Sequence, residues 1–281
     1  MNALELINFG ASELRRKKIG TSRLDSELLL SKILDKNREE ILINLEQKIC
    51  QKYFLKYKQL IQRRSQCEPI AYIVKEKEFW SKNFLVSSDT LIPRPETELI
   101  VEKLTKIFEE KKISILDIGT GTGCILISLL SELKNSKGIG IDISKKALRI
   151  AEKNSEHHGM KNKIKFFHKS LDSKFYQKFD LIVSNPPYIK KCEIKHLKED
   201  VRKFEPRIAL DGGNDGLDLI KKVIYKSKYI LKVKGMLALE IGNEQFNKVS
   251  KILKKNNFKI EHIIKEYKDN IRGIISTQIG N

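Results

Sequence analysis

The chain has 281 residues, 40% apolar and 32% charged, which suits a globular protein of one large or two unequal domains. Its formal net charge of +19 admits a nucleic-acid partner, yet only 11 of the 55 basic residues are arginine and the lysines spread over every predicted helix face, so a lysine-rich composition accounts for the charge more simply. No run of 18 uncharged apolar residues is present, the start Met1-Asn2-Ala3-Leu4-Glu5 lacks a basic segment leading into an apolar core, and the four cysteines form no C-x-x-C pair; a membrane span, a signal peptide and a zinc site are therefore not expected, and a reduced, cytoplasmic setting is.

Residues 1 to about 70 read as helical. Leu4, Ile7, Leu14 and Ile19 are spaced for one helix face, and Ser22 stands as a cap before Leu24, Leu28, Leu29 and Leu30. Asn37 with Glu40 three residues on has the form of a capping box. A longer helix through Tyr53, Leu55, Leu60 and Ile61 ends before Pro69. Next, Glu78-Phe79-Trp80 and Phe84-Leu85-Val86 read as two strands joined by Ser81-Lys82-Asn83. The prolines of Leu91-Ile92-Pro93-Arg94-Pro95-Glu96-Thr97-Glu98 hold an extended segment that opens a helix from about residue 95 to 110, with acids in its first turn.

From Lys112 strand and helix alternate, the mark of a parallel sheet covered on both faces. Strands are predicted near 113–118, 137–141, 163–168, 179–184 and 235–241, and helices near 123–134, 145–158, 215–231 and 244–255. Two last strands, near 258–265 and 271–279, have no long helix between them, so the last is expected to enter antiparallel. The organisation expected is a helical domain over 1–72, a hairpin linker over 73–90 and an α/β domain over 91–281.

Two stretches carry chemistry. Asp117-Ile118-Gly119-Thr120-Gly121-Thr122-Gly123 joins the first strand of the α/β domain to its first helix, and alternate glycines allow a tight turn and close approach of a ligand. The third glycine comes one residue too early for a dinucleotide fingerprint, and an acid two residues before the loop suits an amine-bearing ligand better than a pyrophosphate. Asp142, ending the next strand, lies where such sheets present an acid to ribose hydroxyls; capping the following helix is its bland alternative, open also to Ser144. The second stretch, Asn185-Pro186-Pro187-Tyr188, follows the apolar run Phe179–Val183. It gathers an amide side chain, rigid carbonyls and an aromatic ring, a set able to grip a planar –NH2 group. His157-His158, at a predicted helix end, reads as surface histidine.

Together these motifs resemble the class I S-adenosylmethionine-dependent methyltransferases, and among them the protein-(glutamine-N5) methyltransferases that modify peptide chain release factors. The likeness continues through Phe204-Glu205-Pro206-Arg207-Ile208-Ala209-Leu210 and Gly212-Gly213-Asn214-Asp215-Gly216-Leu217, and so spans nearly the whole chain. It implies a Rossmann-like, mostly parallel seven-stranded sheet with its last strand antiparallel, and a helical N-terminal domain for substrate recognition. Gly119, Thr120, Gly121, Thr122 and Gly123 would wrap the methionine part of S-adenosylmethionine, Asp142 would hold the ribose, and Leu171 or Ser170 would flank the adenine. Asn185, which also counts among the cofactor-binding residues, and the Pro186 carbonyl would hold the substrate amide, with Pro187, Tyr188 and Leu91 lining the pocket; no metal is implied. The implied reaction gives S-adenosylhomocysteine and methylates the glutamine of the Gly-Gly-Gln loop of class 1 release factors, with no nucleic-acid substrate; a monomer is the default expectation. One departure is the loss of the usual glycine after Ala71-Tyr72-Ile73, where Val74-Lys75-Glu76 stands. Two rivals are a nucleic-acid adenine N6-methyltransferase, which would use the same grip on an exocyclic amine, and a non-catalytic RNA- or ribosome-binding protein with a vestigial cofactor fold. No separate target-recognition domain favours the first, and the intact glycine loop speaks against the second.

Overall fold

The computed structural model describes residues 1–266 and 269–279. The chain divides into two units, Met1–Glu76 with Lys198–Phe204, and Lys77–Leu197 with Glu205–Asn281.

The first unit is built on α1 (Ala3–Arg16), α2 (Ser22–Leu34), α3 (Arg38–Ile43), α4 (Gln51–Ser65) and α5 (Ile70–Val74). The capping box that the sequence places at Asn37 is absent there and occurs at Asn2 instead: Asn2 Oδ1 accepts from the Glu5 N–H at 2.9 Å while Glu5 Oε2 accepts from the Asn2 N–H at 2.9 Å. Ser22 is likewise no cap but a buried residue of the first turn of α2, preceded by Thr21. The buried face of α1 runs through Ala3, Leu6, Ile7, Gly10 and Leu14; Leu4 lies off it, and Ile19 is buried beyond the helix end. Its partners are Leu29, Leu30, Tyr57 and Ile61. Polar groups in this core are paired, Arg64 Nε with Asp25 Oδ2 at 2.7 Å and Ser26 Oγ donating to the Ile7 carbonyl at 2.7 Å. The short helix α5 ends on Lys75, which sits in the left-handed region at φ +66°, the conformation that glycine adopts most readily.

In the hairpin the strands are β1 (Glu76–Phe79) and β2 (Lys82–Leu85), each starting two residues and ending one residue earlier than expected. The turn is Trp80-Ser81, not Ser81-Lys82-Asn83, and both its residues have positive φ (+53° and +52°), the two-residue geometry that matches strand twist. Trp80 is held there by its own groups: its backbone N–H donates to Glu98 Oε1 at 3.0 Å and its indole N–H to Glu132 Oε1 at 2.9 Å.

After the Pro93-Arg94-Pro95 segment, α6 (Pro95–Ile107) starts with proline at its first position. There follow β3 (Ser114–Ile118), α7 (Cys124–Glu132), β4 (Lys137–Asp142), α8 (Lys145–His157), β5 (Ile164–His168) and β6 (Phe179–Ser184). The remainder is α9 (Glu199–Phe204), α10 (Asp218–Ile230), β7 (Leu231–Glu240), α11 (Phe246–Lys255), β8 (Phe258–Lys265) and β9 (Ile271–Gln278). The seven-stranded sheet has the order β5-β4-β3-β6-β7-β9-β8, parallel up to β7, with β9 antiparallel to both its neighbours. β7 begins four residues earlier than predicted, because Leu231 pairs with Phe179 before a bulge containing Lys234 at φ +61°.

Alternate strand residues feed opposite faces. Ile115, Leu181, Val183 and Ala238 pack under α6 and α7 with Ile100, Leu104, Leu126 and Leu130. Leu116, Ile182, Leu237 and Leu239 pack under α10 and α11 with Ile220, Ile224, Val249 and Leu253. β3 therefore lies between β4 and β6 with chain leaving it in both directions, and the crevice beyond its C-terminal end is the place where open α/β sheets take ligands.

Candidate functional site

A cavity of about 280 Å³ opens beyond the ends of β3, β4 and β6. A single water needs only about 10–15 Å³, so this space accepts a sizeable small molecule.

Its floor is the loop after β3. Gly119, Gly121 and Gly123 take φ of +73°, +54° and +79°, a run of left-handed residues that side chains would strain. The Gly119 and Thr120 N–H groups both donate to the Ile141 carbonyl, at 2.9 and 3.0 Å, tying the loop to β4. Asp142 Oδ2 accepts from the Gly121 N–H at 3.0 Å and Oδ1 from the Ser144 N–H at 2.8 Å. Ser144 itself caps α8, with Oγ accepting from the Ala147 N–H at 3.2 Å, so Asp142 is spared that task. Burial raises the Asp142 carboxyl above the ordinary range, against the backbone donors that lower it.

Asn154, fully buried on α8, makes three hydrogen bonds that no local pattern announces. It accepts from the Leu85 N–H at 2.7 Å and donates to the carbonyls of Leu85 and Thr122, at 3.0 and 2.9 Å. One side chain thus fixes both the hairpin strand and the glycine loop. At the end of the same helix His158 is more than surface: its Nε2 lies 3.0 Å from the Asn83 carbonyl and its ring packs on Phe84, while His157 is exposed.

Most of the residues singled out from the sequence meet at this cavity. Leu91, Gly119, Thr120, Gly121, Thr122, Asp142, Leu171, Asn185, Pro186 and Pro187 all line it, as does Ser170. Three do not. Gly123 caps α7 and turns its Cα against Ala151 and Ile127, so its part is helix packing. Asp117 lies beneath the loop, fully buried, with Oδ2 accepting from the Thr120 hydroxyl at 2.6 Å and Oδ1 without a partner; burial pushes its carboxyl up to about 7. It supports the loop from below and does not line the cavity. Tyr188 turns away from the wall, and its hydroxyl donates to Glu240 Oε1 at 3.4 Å.

The Asn-Pro-Pro segment is held from behind. The Asn185 Nδ2 group donates to Thr97 Oγ1 at 3.4 Å, and the Thr97 hydroxyl donates to Glu240 Oε2 at 2.5 Å. That leaves Oδ1 as the end of the Asn185 amide available to the cavity. Glu240 is 2% exposed, and burial pushes its carboxyl up to about 7 against the hydrogen bond from Thr97 and the charge of Arg272. Past Tyr188, Gln245 Nε2 donates to the carbonyls of Tyr188 and Gly216 at 2.9 and 3.1 Å, and its Oε1 accepts from the Gly242 N–H at 2.8 Å. Gly212 belongs to this clamp, since a side chain there would meet the Pro187 carbonyl at 2.8 Å. On the opposite wall the strap carrying Leu91 is anchored by Glu205, which accepts from the Ile92 N–H at 3.2 Å and pairs with Arg94.

Sequence reasoning missed Thr97, Ile143 and Ile208 as wall residues. Ile143 and Ile208 are 54% and 60% exposed, and only the position of Ile143, directly after Asp142, is legible in the sequence.

Comparison with known proteins gives a consistent picture. Residues 5–74 match the family described as PrmC N-terminal domain, and residues 92–201 match the Methyltransferase small domain. The chain is 43% identical over 251 residues to the release factor glutamine methyltransferase of Buchnera aphidicola subsp. Acyrthosiphon pisum (strain APS), covering 89% of each chain. It is 37% identical over 277 residues to the release factor glutamine methyltransferase of Fusobacterium nucleatum subsp. nucleatum, covering 97% of this chain and 78% of that relative. A solved methyltransferase from Pyrococcus furiosus superposes with a TM-score of 0.53 over 70% of this chain and 89% of its own; at 17% identity that likeness concerns the fold alone.

Proposed function

Because the chain belongs to the release factor glutamine methyltransferase family, we propose that this cavity binds S-adenosylmethionine and the side chain of a release factor glutamine together, and that Asn185 presents the glutamine nitrogen for methylation. The observation that carries the reading is the Asn185 amide: its –NH2 end is tied to Thr97 at the wall of the same cavity that holds the glycine loop and Asp142.

The residues present fit the cofactor. The direction a side chain would take at Gly119 is open space, so a ligand can lie against the backbone there. The Asp142 carboxylate accepts from backbone N–H groups and keeps lone-pair capacity for a ribose hydroxyl. Ile143 and Leu171 add apolar surface beside it for the adenine, with Ser170 at the edge. When bound, S-adenosylmethionine supplies a methyl group that its sulfonium already activates.

The chain's own part is alignment. A glutamine amide nitrogen is a weak nucleophile, and its two hydrogens need two acceptors. Asn185 Oδ1 and the Pro186 carbonyl supply them, while Pro187 and Leu91 shape the slot for the side chain's apolar part. As the nitrogen gains positive charge these acceptors hold it more strongly, which stabilises the transition state. Tyr188 contributes from behind, through Glu240. An N-alkylated amide cation is acidic enough to lose its proton without a dedicated base.

The finer assignments belong to the same reading. The helical unit recognises the release factor, the target is the glutamine of the Gly-Gly-Gln loop of class 1 factors, and the enzyme works in the cytoplasm. It works as a monomer in this reading. No helix of the described residues is long and apolar enough to cross a membrane. A labelled-methyl competition between release factor, RNA and duplex DNA tests the substrate. Label appearing in nucleic acid and not in the factor would replace this reading with adenine methylation.

A further inference from the structure

A side-chain amide has two ends of nearly the same size and opposite chemistry, one accepting and one donating. Packing alone therefore does not decide which end of Asn185 faces a ligand, and the proposed reaction needs the accepting one. Behind Asn185 stands Thr97, in the first turn of α6 and 2% exposed. Its hydroxyl owns one hydrogen, and with Glu240 ionised that hydrogen is given to Glu240 Oε2 at 2.5 Å. The oxygen facing Asn185 can then only accept, and Nδ2 lies 3.4 Å from it. Glu240 ends β7, and Asn185 directly follows β6, which pairs with β7 in parallel up to Ser184 and Leu239. The carboxylate is in turn held by the Tyr188 hydroxyl on Oε1 at 3.4 Å, so neither of its oxygens is loose.

We propose that Thr97 and Glu240 are positioning residues that act through Asn185: the carboxylate sets the direction of the Thr97 hydroxyl, and the hydroxyl sets the Asn185 amide with Oδ1 toward the substrate nitrogen. The inference rests on the reading of Asn185 as the acceptor for the substrate amide. Turned over, Asn185 would set its own –NH2 against the substrate –NH2, two donors face to face. Thr97 at the cavity wall and Glu240 behind it act in this scheme by making one orientation of Asn185 the populated one.

The test is single-turnover methyl transfer to purified release factor above about pH 8, where Glu240 is ionised, with cofactor Kd and melting temperature measured alongside. It compares the parental protein, Thr97→Val, Thr97→Ser, Asn185→Ala and the Thr97→Val/Asn185→Ala double variant. Valine keeps the shape and removes the hydroxyl, so a loss of tenfold or more in transfer rate is expected with the cofactor Kd within twofold. Serine keeps the hydroxyl and is expected to recover the rate to within about threefold. Because Thr97 acts through Asn185, the double variant is expected to be no slower than Asn185→Ala alone. Thr97→Val at the parental rate, serine as slow as valine, or losses that multiply in the double variant would each overturn the inference. The valine–serine pair decides even where Asn185→Ala falls below detection. A parental protein that binds cofactor and transfers nothing, or Asn185→Ala at the parental rate, overturns the functional reading itself and this inference with it.

Discussion

Asp142 offers the cleanest separation of ligand binding from folding, through the substitution Asp142→Asn. Both carboxylate oxygens accept from backbone N–H groups, Gly121 at 3.0 Å and Ser144 at 2.8 Å. Asparagine offers one oxygen, so one of these N–H groups is left facing an –NH2. The loss inside the protein is offset in part, because burial disfavours the charge on Asp142 and the amide has none to bury. The net change in folding stability is then under about 1 kcal/mol. Toward the ribose there is no such offset. A hydrogen bond to a charged acceptor contributes about 1.5–3 kcal/mol, and about 1.4 kcal/mol corresponds to tenfold in Kd. The expected result is a 10- to 100-fold rise in the Kd for S-adenosylhomocysteine by titration calorimetry, with the melting temperature of the ligand-free protein moved by only a few degrees. A Kd within threefold of the parental value at unchanged melting temperature would refute the placement of Asp142 on the ribose.

Three further outcomes follow from the same structure. Asn154→Leu leaves the Leu85 N–H and two carbonyls without partners in a buried setting; a loss of about 3 kcal/mol or more in denaturant unfolding is expected, and a loss under about 1 kcal/mol would contradict the stapling role. Asp117 and Glu240 both have carboxyls raised by burial to about 7 from ordinary values of 3.8 and 4.5. Between pH 4.5 and 7 the folded chain keeps protons that the unfolded chain has released, so each group stabilises at low pH and its contribution is lost as pH rises through about 7. The melting temperature should therefore fall from pH 5.5 to 7.5, and the double variant Asp117→Asn/Glu240→Gln should flatten that slope; an unchanged slope would discard the assignment. Glu205→Gln should loosen the Leu91 strap, raising KM for the release factor severalfold. Because Arg94 keeps some solvent contact, the stability cost should stay near about 1–2 kcal/mol. Unchanged KM would leave the strap without a part in substrate binding.

What the sequence made legible was whatever repeats locally. The strands from 114 to 184 follow from apolar runs bounded by glycine and polar turns, and the ligand loop from its glycine spacing, because both depend on residues near each other in the chain. The hairpin register escaped because Ser81, Lys82 and Asn83 are ordinary turn formers, whereas the true turn is imposed on Trp80 by Glu98 and Glu132 from distant helices. The capping box at Asn37 had the right residues and no bond. The acid before the glycine loop suits a ligand by its place in the sequence, and nothing in its neighbours shows that Asp117 points beneath the loop to Thr120. The turn of Tyr188 away from the pocket is hidden for a similar reason, its partner Glu240 lying 52 residues away. Asn154, Gln245, Thr97 and Glu240 are single polar residues whose roles exist only after the sheet brings remote segments together.

The most direct test of the central claim is mass spectrometry of a purified class 1 release factor after incubation with this protein and S-adenosylmethionine. The expected result is one added methyl on the glutamine of its Gly-Gly-Gln loop, absent when Asn185→Ala replaces the parental protein although that variant still binds S-adenosylhomocysteine. An unmodified glutamine in the presence of a parental protein that binds the cofactor would contradict the account.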